Sequence, residues 1–521
     1  MTERAGLSVS AASYAGPQPP PAYNLAAAAL AAGHRHRDKP AFRLFSADEP
    51  HAPAQTATYG ELASRAGHVM AGLKELGLPP RSVIAIRQHT GIAYALSFLA
   101  ITGSGHIALA MSPMLTAREI ETISKIAGVA AIIRDETLEA HGRDGITDLR
   151  IEALEHDGAR SRPAGFADTS ANDPAYLVFT SGTGAAPKGV LHAHRAVFGR
   201  RPMYRDWYDA SEADIFLHTG AMNWTYSLGT GLLDPLVLGA TATFLDATPA
   251  PQSWSDILHA TQATILATVP GIYRQMLRSD FSLSRSAPLR HGLTAGEALR
   301  PALHDDWISA TGRPLCEAFG MSEISTYLST APDMTWHPGS PGRPQRGRAI
   351  AILNAEDDAD PVPLPLGETG ILAVHRSDPG MMLGYIGSET AENAAWRGDW
   401  FVTGDLAIMD NDGFVHPQGR ADDVMNAMGY RVSPAEVEAQ LLACPGVIEA
   451  AVTSIEPAEG VSIIKAFVVA DSRTKEAGPE ALLGRVSGNL ARYKRPKELV
   501  FVESLPRTAN GKIQRSRLRL L

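Results

Sequence analysis

The segment TSGTGAAPKG at 180–189 holds the densest set of groups able to do chemistry, and it follows directly on the apolar run AYLVF. A strand that empties into a small, hydroxyl-rich, Gly-rich loop offers backbone N–H groups to an anion at close range, and Lys188 adds a mobile positive charge. This is phosphate-binding chemistry without a Walker P-loop. Pro187 replaces the Gly before the Lys, and Gly189 replaces the Ser or Thr that would hold magnesium. A Ser/Gly surface loop holding no ligand would have the same composition. Three further segments carry polar groups at short spacing: AFGMSE at 318–323, TGD at 403–405 with GR at 419–420, and NGK at 510–512. Taken singly, Ser322-Glu323 reads as a helix cap, Asp405 as a turn residue after Gly404, and Gly511-Lys512 as a solvated turn.

The elements that must position these groups follow an α/β pattern. Apolar runs such as SVIAIR, VAAIIRD and AYLVFTS alternate with longer helical stretches such as TYGELASRAGHVMAGLKELG, predicting a large layered domain with helices on its sheets. Between about 330 and 420 the turn-rich segments HPGSPGRPQRG, PVPLPLGETG and NDGF separate short strands, predicting a β-rich subdomain. Ser433 is placed to cap a helix that opens at Pro434 and carries Glu436 in its first turn. A small α+β domain follows, with strands expected at IEAAVTS, SIIKAFVVA and ELVFVE. The domains read as a flexible tail at 1–22, an N-terminal domain at 23–420 and a C-terminal domain at 421–521. The Ala-rich run at 25–32 opens the first helix.

At 521 residues the chain exceeds what one hydrophobic core supports. A net charge of −9 argues against nucleic-acid binding through bulk charge, so a polyanionic ligand must be held by local donors. Cys316 and Cys444 are the two cysteines, which excludes a disulfide framework and fits a reducing, cytoplasmic setting without a zinc site. The first residues lack the apolar core of a signal peptide, and no run approaches the roughly 18 apolar residues of a membrane span.

Taken together, the four segments resemble the adenylate-forming superfamily, which includes acyl-CoA and aryl-CoA synthetases, peptide-synthetase adenylation domains and firefly luciferase. The resemblance covers nearly all of the chain after residue 22. It implies that Thr180, Ser181, Gly182, Thr183, Gly184 and Lys188 meet the phosphates of ATP. The family loop usually reads TSGTTG, any residue, PKG, and here Gly184 and Ala185 stand at its Thr-Gly pair. One hydroxyl donor is lost, and Ala disfavours a left-handed backbone by about 1 to 2 kcal/mol where Gly does not. Gly184 is expected to take that conformation one position early. By the same resemblance Ala295, Gly296 and Glu297 line the adenine pocket, with Phe319, Gly320, Met321 and Ser322; Phe319 stacks on adenine, and Glu323 takes Mg2+, a hard cation that prefers oxygen ligands. Asp405 accepts the ribose hydroxyls with help from Arg420, a carboxylate being a good acceptor for a vicinal diol. Asp422 is the hinge between the domains. Lys512 approaches the acid and the α-phosphate, and Gly429, Tyr430 and Arg431 face the coenzyme A channel.

The implied reaction has two parts: a carboxylate attacks the α-phosphate of ATP and expels pyrophosphate, then the thiol of coenzyme A displaces AMP. The stretch AMNWTYSLGTG at 221–231 is similar to its counterpart in benzoate and medium-chain acyl-CoA ligases, which makes Met222, Trp224, Tyr226, Ala295 and Met321 the acyl pocket. Aromatic residues there also serve as ordinary core fillers. An aromatic, alicyclic or medium-chain carboxylate is expected, and a homodimer is left open. The rival readings are a stand-alone enzyme loading a carrier protein, a luciferase-like oxygenase and a degenerate nucleotide-binding scaffold. The chain stops soon after Lys512 with no carrier domain attached, an expectation that leaves a free-standing carrier-loading enzyme as the alternative to the ligase. If the loop meets ATP, Gly184→Thr will change ATP affinity and Ser181→Ala and Thr183→Ala will weaken it in a titration; three unchanged affinities would reject the assignment.

Overall fold

The computed structural model describes residues 6–140, 145–180, 187–279, 281, 283, 286–356, 360–421, 423, 425–427, 430–458, 461–507 and 513–518. Internal packing divides the chain into two units, one of Ala11–Ala349 with His375–Asp399, the other of Met1–Ser10, Ile350–Val374 and Trp400–Leu521. The compositional boundary at 420/421 therefore falls inside the second unit. The β-rich stretch from 350 packs with the C-terminal residues because its strands pair with one another.

In the first unit the apolar runs form two sheets. One has seven strands in the order Gly384–Ile386, Lys188–Ala193, Pro174–Thr180, Ile107–Ala110, Val83–Arg87, Val129–Arg134 and Thr147–Leu149. Val83–Arg87 is buried along its whole length between parallel neighbours, as a doubly covered parallel strand must be. The other sheet has nine strands, with Leu315–Met321, His291–Ala295, Ile265–Thr268, Ile215–His218 and Thr241–Leu245 as consecutive parallel members. Helix Tyr59–Glu75 starts at a capping box made by Thr58 and Glu61 and buries Leu62, Ala66, Val69, Met70 and Leu73, one stripe of a 3.6-residue repeat. Helix Ile92–Gly103 is buried almost throughout. A single apolar cluster joins these helices to Ile84 and Ile86 of the smaller sheet and to Phe42 and Phe244 of the larger. Gly158 permits the helix pair to touch: a Cβ there would lie 1.8 Å from the carbonyl oxygen of His68.

The second unit contains the antiparallel strands Ile350–Leu353, Thr369–His375, Trp400–Met409 and Val415–Arg420. The flexible tail expected at 1–22 is not what residues 6–22 form. Leu7 and Val9 bridge Pro365 and Ala351 within this unit, and Ser8 is fully buried. Tyr14 is buried in the other unit and Ala22 bridges Ser170. Low hydrophobicity did not prevent ordering because the segment borrows hydrogen bonds from strands far along the chain. The small domain holds Val447–Ala458, Val461–Ala470 and Glu498–Phe501 in one sheet, covered by helix Pro434–Leu442 and helix Pro479–Ser487 around Val437, Leu441, Val452, Ile464, Leu482 and Val486. Helix Pro434–Leu442 begins where expected, but Ser433 does not cap it. Its hydroxyl donates to the Gln418 carbonyl, and Glu436 accepts from Lys494 at 2.7 Å. Among the described residues no helix is long and apolar enough to cross a membrane.

Four imidazoles in the first unit resist protonation because burial strips them of water. His192, His194 and His291 are pushed down to about 4 and His218 to about 3. In the unfolded chain each takes a proton near 6.5, so between about 6.5 and 4 the unfolded state binds more protons and stability falls as pH falls. Glu317, pushed up to about 7 by burial, opposes this, being one group against four. The melting temperature is expected to drop steadily between pH 7 and pH 4.5, with net proton uptake on unfolding. A flat profile would contradict this account.

Candidate functional site

The hairpin of Pro174–Thr180 and Lys188–Ala193 closes at the pair Thr180 and Lys188, so the Gly-rich loop is the connection between two adjacent strands. Ser181, Gly182, Thr183 and Gly184 lie outside the described residues. The Thr180 hydroxyl is buried and makes no hydrogen bond among the described residues. The Lys188 ammonium sits 4.1 Å from the centroid of the Tyr385 ring and 3.7 Å from Glu323 Oε1. Tyr385, on strand Gly384–Ile386 beside Lys188–Ala193, donates its hydroxyl to the same Glu323 oxygen at 2.6 Å.

Glu323 rides on a tight hairpin and not on a helix cap. Met321 pairs with Ser325 across the turn between Leu315–Met321 and Ser325–Ser329, leaving residues 322–324 as the loop. The backbone on either side is held: His192 Nε2 donates to the Ser322 carbonyl at 2.7 Å, and the Met382 N–H donates to the Glu323 carbonyl at 2.8 Å. The side chain of Glu323 is 7% exposed, and Tyr385 and Lys188 supply the hydrogen bond and opposite charge that replace lost water. Removing one partner of a buried charge typically costs about 3 to 5 kcal/mol. Both contacts fall on Oε1. Magnesium, a hard cation that takes oxygen ligands from one or two carboxylates and from substrate phosphates, would be met here through Oε2. Among the described residues no group of three metal-ligating side chains exists.

The C-terminal ends of the parallel strands Ile215–His218, His291–Ala295 and Leu315–Met321 carry the aromatic wall, at the edge where open α/β sheets bind ligands. Trp224 and Tyr226 meet edge to face at 5.6 Å, and Tyr226 packs on Trp207 and His218. Gly296 has φ +93°, and a Cβ there would lie 3.6 Å from the Trp224 ring. Ala295 shares this apolar cluster, and Met321 is half-buried at the hairpin. Met222, expected in the same wall, instead joins the main core with Leu228 and Phe244. It precedes the π-helical segment Ser227–Leu233, and its side chain follows the core and not the aromatic face. Phe319 lies edge to face with Tyr327 at 5.9 Å, and Glu297 lies 3.7 Å from Arg274.

Under the π-helical segment a buried charge pair is visible that sequence reading did not anticipate. Arg200 binds Asp234 through Nε at 2.9 Å and Nη2 at 2.7 Å, Tyr208 donates to Asp234 at 2.7 Å, and Arg200 Nη1 donates to the Ser325 hydroxyl. Burial opposes the guanidinium charge, and Asp234 outweighs it, keeping the pKa raised. Ser325 has φ +79°, a left-handed conformation that costs a residue other than Gly about 1 to 3 kcal/mol.

In the second unit Asp405 and Arg420 are cross-strand partners with a 3.5 Å contact. Arg420 Nη1 also donates to the Thr403 carbonyl at 2.8 Å. Gly404 has φ +78°, and a Cβ there would fall 2.6 Å from Arg420 Nη2. Tyr430 and Arg431 lie on strand Tyr430–Val432. Asp422, Gly429 and Lys512 lie outside the described residues.

Residues 30–386 match the model of the AMP-binding enzyme and residues 436–512 that of the AMP-binding enzyme C-terminal domain. The chain belongs to the AMP-binding enzyme family. This AMP-binding enzyme is 31% identical over 485 residues to an uncharacterised acyl-CoA ligase of Bacillus subtilis (strain 168), covering 89% of this chain and 90% of that one. It is 30% identical over 488 residues to the benzoate-CoA ligase of Thauera aromatica, covering 89% and 91%. A benzoate CoA ligase crystal structure from Burkholderia xenovorans LB400 superimposes with a TM-score of 0.84 at 27% identity, over 95% of this chain and all of that one.

Tyr385 is the partner of Glu323 in this AMP-binding enzyme that sequence reading missed. It stands 62 residues from Glu323, and strand pairing alone brings the two together. Hydrogen bonds to charged groups contribute about 1.5 to 3 kcal/mol, so Tyr385→Phe should weaken Mg-ATP binding by about tenfold or more in calorimetry. Binding unchanged from the native protein would show that Glu323 does not need this hydroxyl.

Proposed function

We propose that this chain is an AMP-forming acid:CoA ligase that activates an aromatic, alicyclic or medium-chain carboxylate as its adenylate and passes the acyl group to coenzyme A. The observation that carries the reading is the placement in one unit of Lys188, Tyr385 and Glu323 at the root of a Gly-rich loop, with the Trp224 and Tyr226 wall at the ends of neighbouring strands. The full-length likeness to a benzoate-CoA ligase supports the substrate class.

In this reading the loop from Thr180 to Lys188 receives the phosphates, and Lys188 neutralises part of their charge. Glu323 would hold magnesium jointly with the ATP phosphates, where the cation offsets charge on the departing pyrophosphate. Gly296, Glu297, Phe319, Gly320, Met321 and Ser322 form the adenine side, while Asp405 and Arg420 take the ribose. Gly404 lets the backbone pass Arg420 closely enough to keep that pair together. Trp224, Tyr226 and Ala295 enclose the acid and exclude water from the mixed anhydride. No protein nucleophile is needed, because the acid attacks phosphorus directly and the thiol of coenzyme A then attacks the acyl carbon.

Joining a carboxylate to a phosphate brings two anions together, and Lys512 is assigned the charge that builds between them. Loss of one such donor typically costs about 2.7 to 4 kcal/mol. For the second half-reaction a rotation about Asp422 would withdraw Lys512 and bring Gly429, Tyr430 and Arg431 to the coenzyme A channel. Lys512→Ala should therefore lower adenylate formation by about 100-fold or more while largely sparing thioester formation from supplied acyl-adenylate. Equal loss of both steps would reject the division. Acyl-CoA production that requires coenzyme A, with no transfer to a phosphopantetheinyl carrier protein, is the expected product outcome.

A further inference from the structure

The turn that carries Glu323 is unusually constrained at its far end. Ser325 adopts φ +79°, a region that hairpin connections ordinarily give to Gly. The chain returns so close to Gly320 that a Cβ there would lie 2.2 Å from the Ser325 carbonyl oxygen, so this tight turn requires Gly at 320. Strain of this kind persists only where the surroundings impose it, and it concentrates at functional sites. Here what imposes it is visible: the Ser325 hydroxyl accepts from Arg200 Nη1.

Arg200 is itself immobile. Asp234, fully buried, binds it through two nitrogens, and Thr230 takes a third contact at 3.2 Å. Gly229 lies against the guanidinium, where a Cβ would come 2.4 Å from Arg200 Cζ. Thr230 and Gly229 belong to the segment Ser227–Leu233, which follows directly on Tyr226 of the aromatic wall. One guanidinium therefore braces both the floor of the acid wall and the Glu323 turn. A buried ion pair adds little net stability over apolar packing, so its use here is geometric.

We propose that Ser325 is a positioning residue: anchored by Arg200, its backbone holds the 322–324 turn in the one conformation that aims Glu323 at the nucleotide phosphates. The inference rests on the assignment of Glu323 to Mg-ATP. It predicts that the hydroxyl matters only through the backbone conformation it secures, and that it touches neither ATP nor acid.

Full-length Ser325→Ala and Ser325→Gly enzymes separate these roles. Ala keeps the penalty for a left-handed backbone and loses the anchor, whereas Gly adopts that backbone without one. Ser325→Ala should raise the KM for Mg-ATP about tenfold, the equivalent of about 1.4 kcal/mol of strain released, and leave the KM for the acid essentially unchanged. Ser325→Gly should restore a native KM for Mg-ATP. A Gly variant as impaired as the Ala variant, or an Ala variant with native KM, would overturn the proposal. If Ser325→Ala does not fold, Ser325→Gly alone decides, a native KM supporting the proposal and a raised one overturning it. Glu323→Gln tests the underlying assignment separately: an unchanged KM for Mg-ATP in that variant rejects the role of Glu323 whatever the Ser325 variants do.

Discussion

A carboxylate that has lost most of its water must be met by opposite charge and hydrogen bonds, and Glu323 imposes that requirement on everything around it. Lys188 and Tyr385 meet it from two neighbouring strands, and the imidazole of His192 and the backbone N–H of Met382 fix the turn below. Each partner comes from a different stretch of the chain, so the hairpin of the Gly-rich loop, the strand of Tyr385 and the end of the large sheet are tied to one group. The consequence is a preorganised anionic point beside a cationic one, the arrangement that stabilises charge separation without moving protein dipoles during reaction.

The same logic recurs one layer deeper. Arg200 and Asp234 satisfy one another where neither could stand alone, and the remaining guanidinium donor is directed at Ser325. Stability alone would be served as well by leucines and phenylalanines of the same volume. A planar, always-charged group with fixed donor directions gives what apolar packing cannot, namely a set angle between the aromatic wall and the Glu323 turn. The aromatic wall and the Glu323 turn are thereby linked through one buried group.

Much of this was legible in the sequence where local rules govern. Apolar runs located the strands, the stretch from TYGEL read as helical forms helix Tyr59–Glu75, and the helix expected from Pro434 begins there. Long-range contacts were not legible. Residues 6–22 looked like a tail because composition does not reveal that Leu7 and Val9 find partners more than 340 residues away. Ser433 had the composition of a cap yet was claimed by the Gln418 carbonyl. Met222 sits in an aromatic segment, but it lies in a turn ahead of the helical stretch and its side chain joins the main core, a placement that no periodicity announces. Tyr385 and Arg200 have unremarkable neighbours in sequence, and only the fold gives them roles.

The central claim is that this protein activates a carboxylate by adenylation before any thiol is involved. Isotope exchange between pyrophosphate and ATP measures that step directly. With Mg2+ present and coenzyme A omitted, label should pass from pyrophosphate into ATP only when an aromatic, alicyclic or medium-chain acid is supplied. Exchange that needs coenzyme A, or that no carboxylate stimulates, would contradict the account.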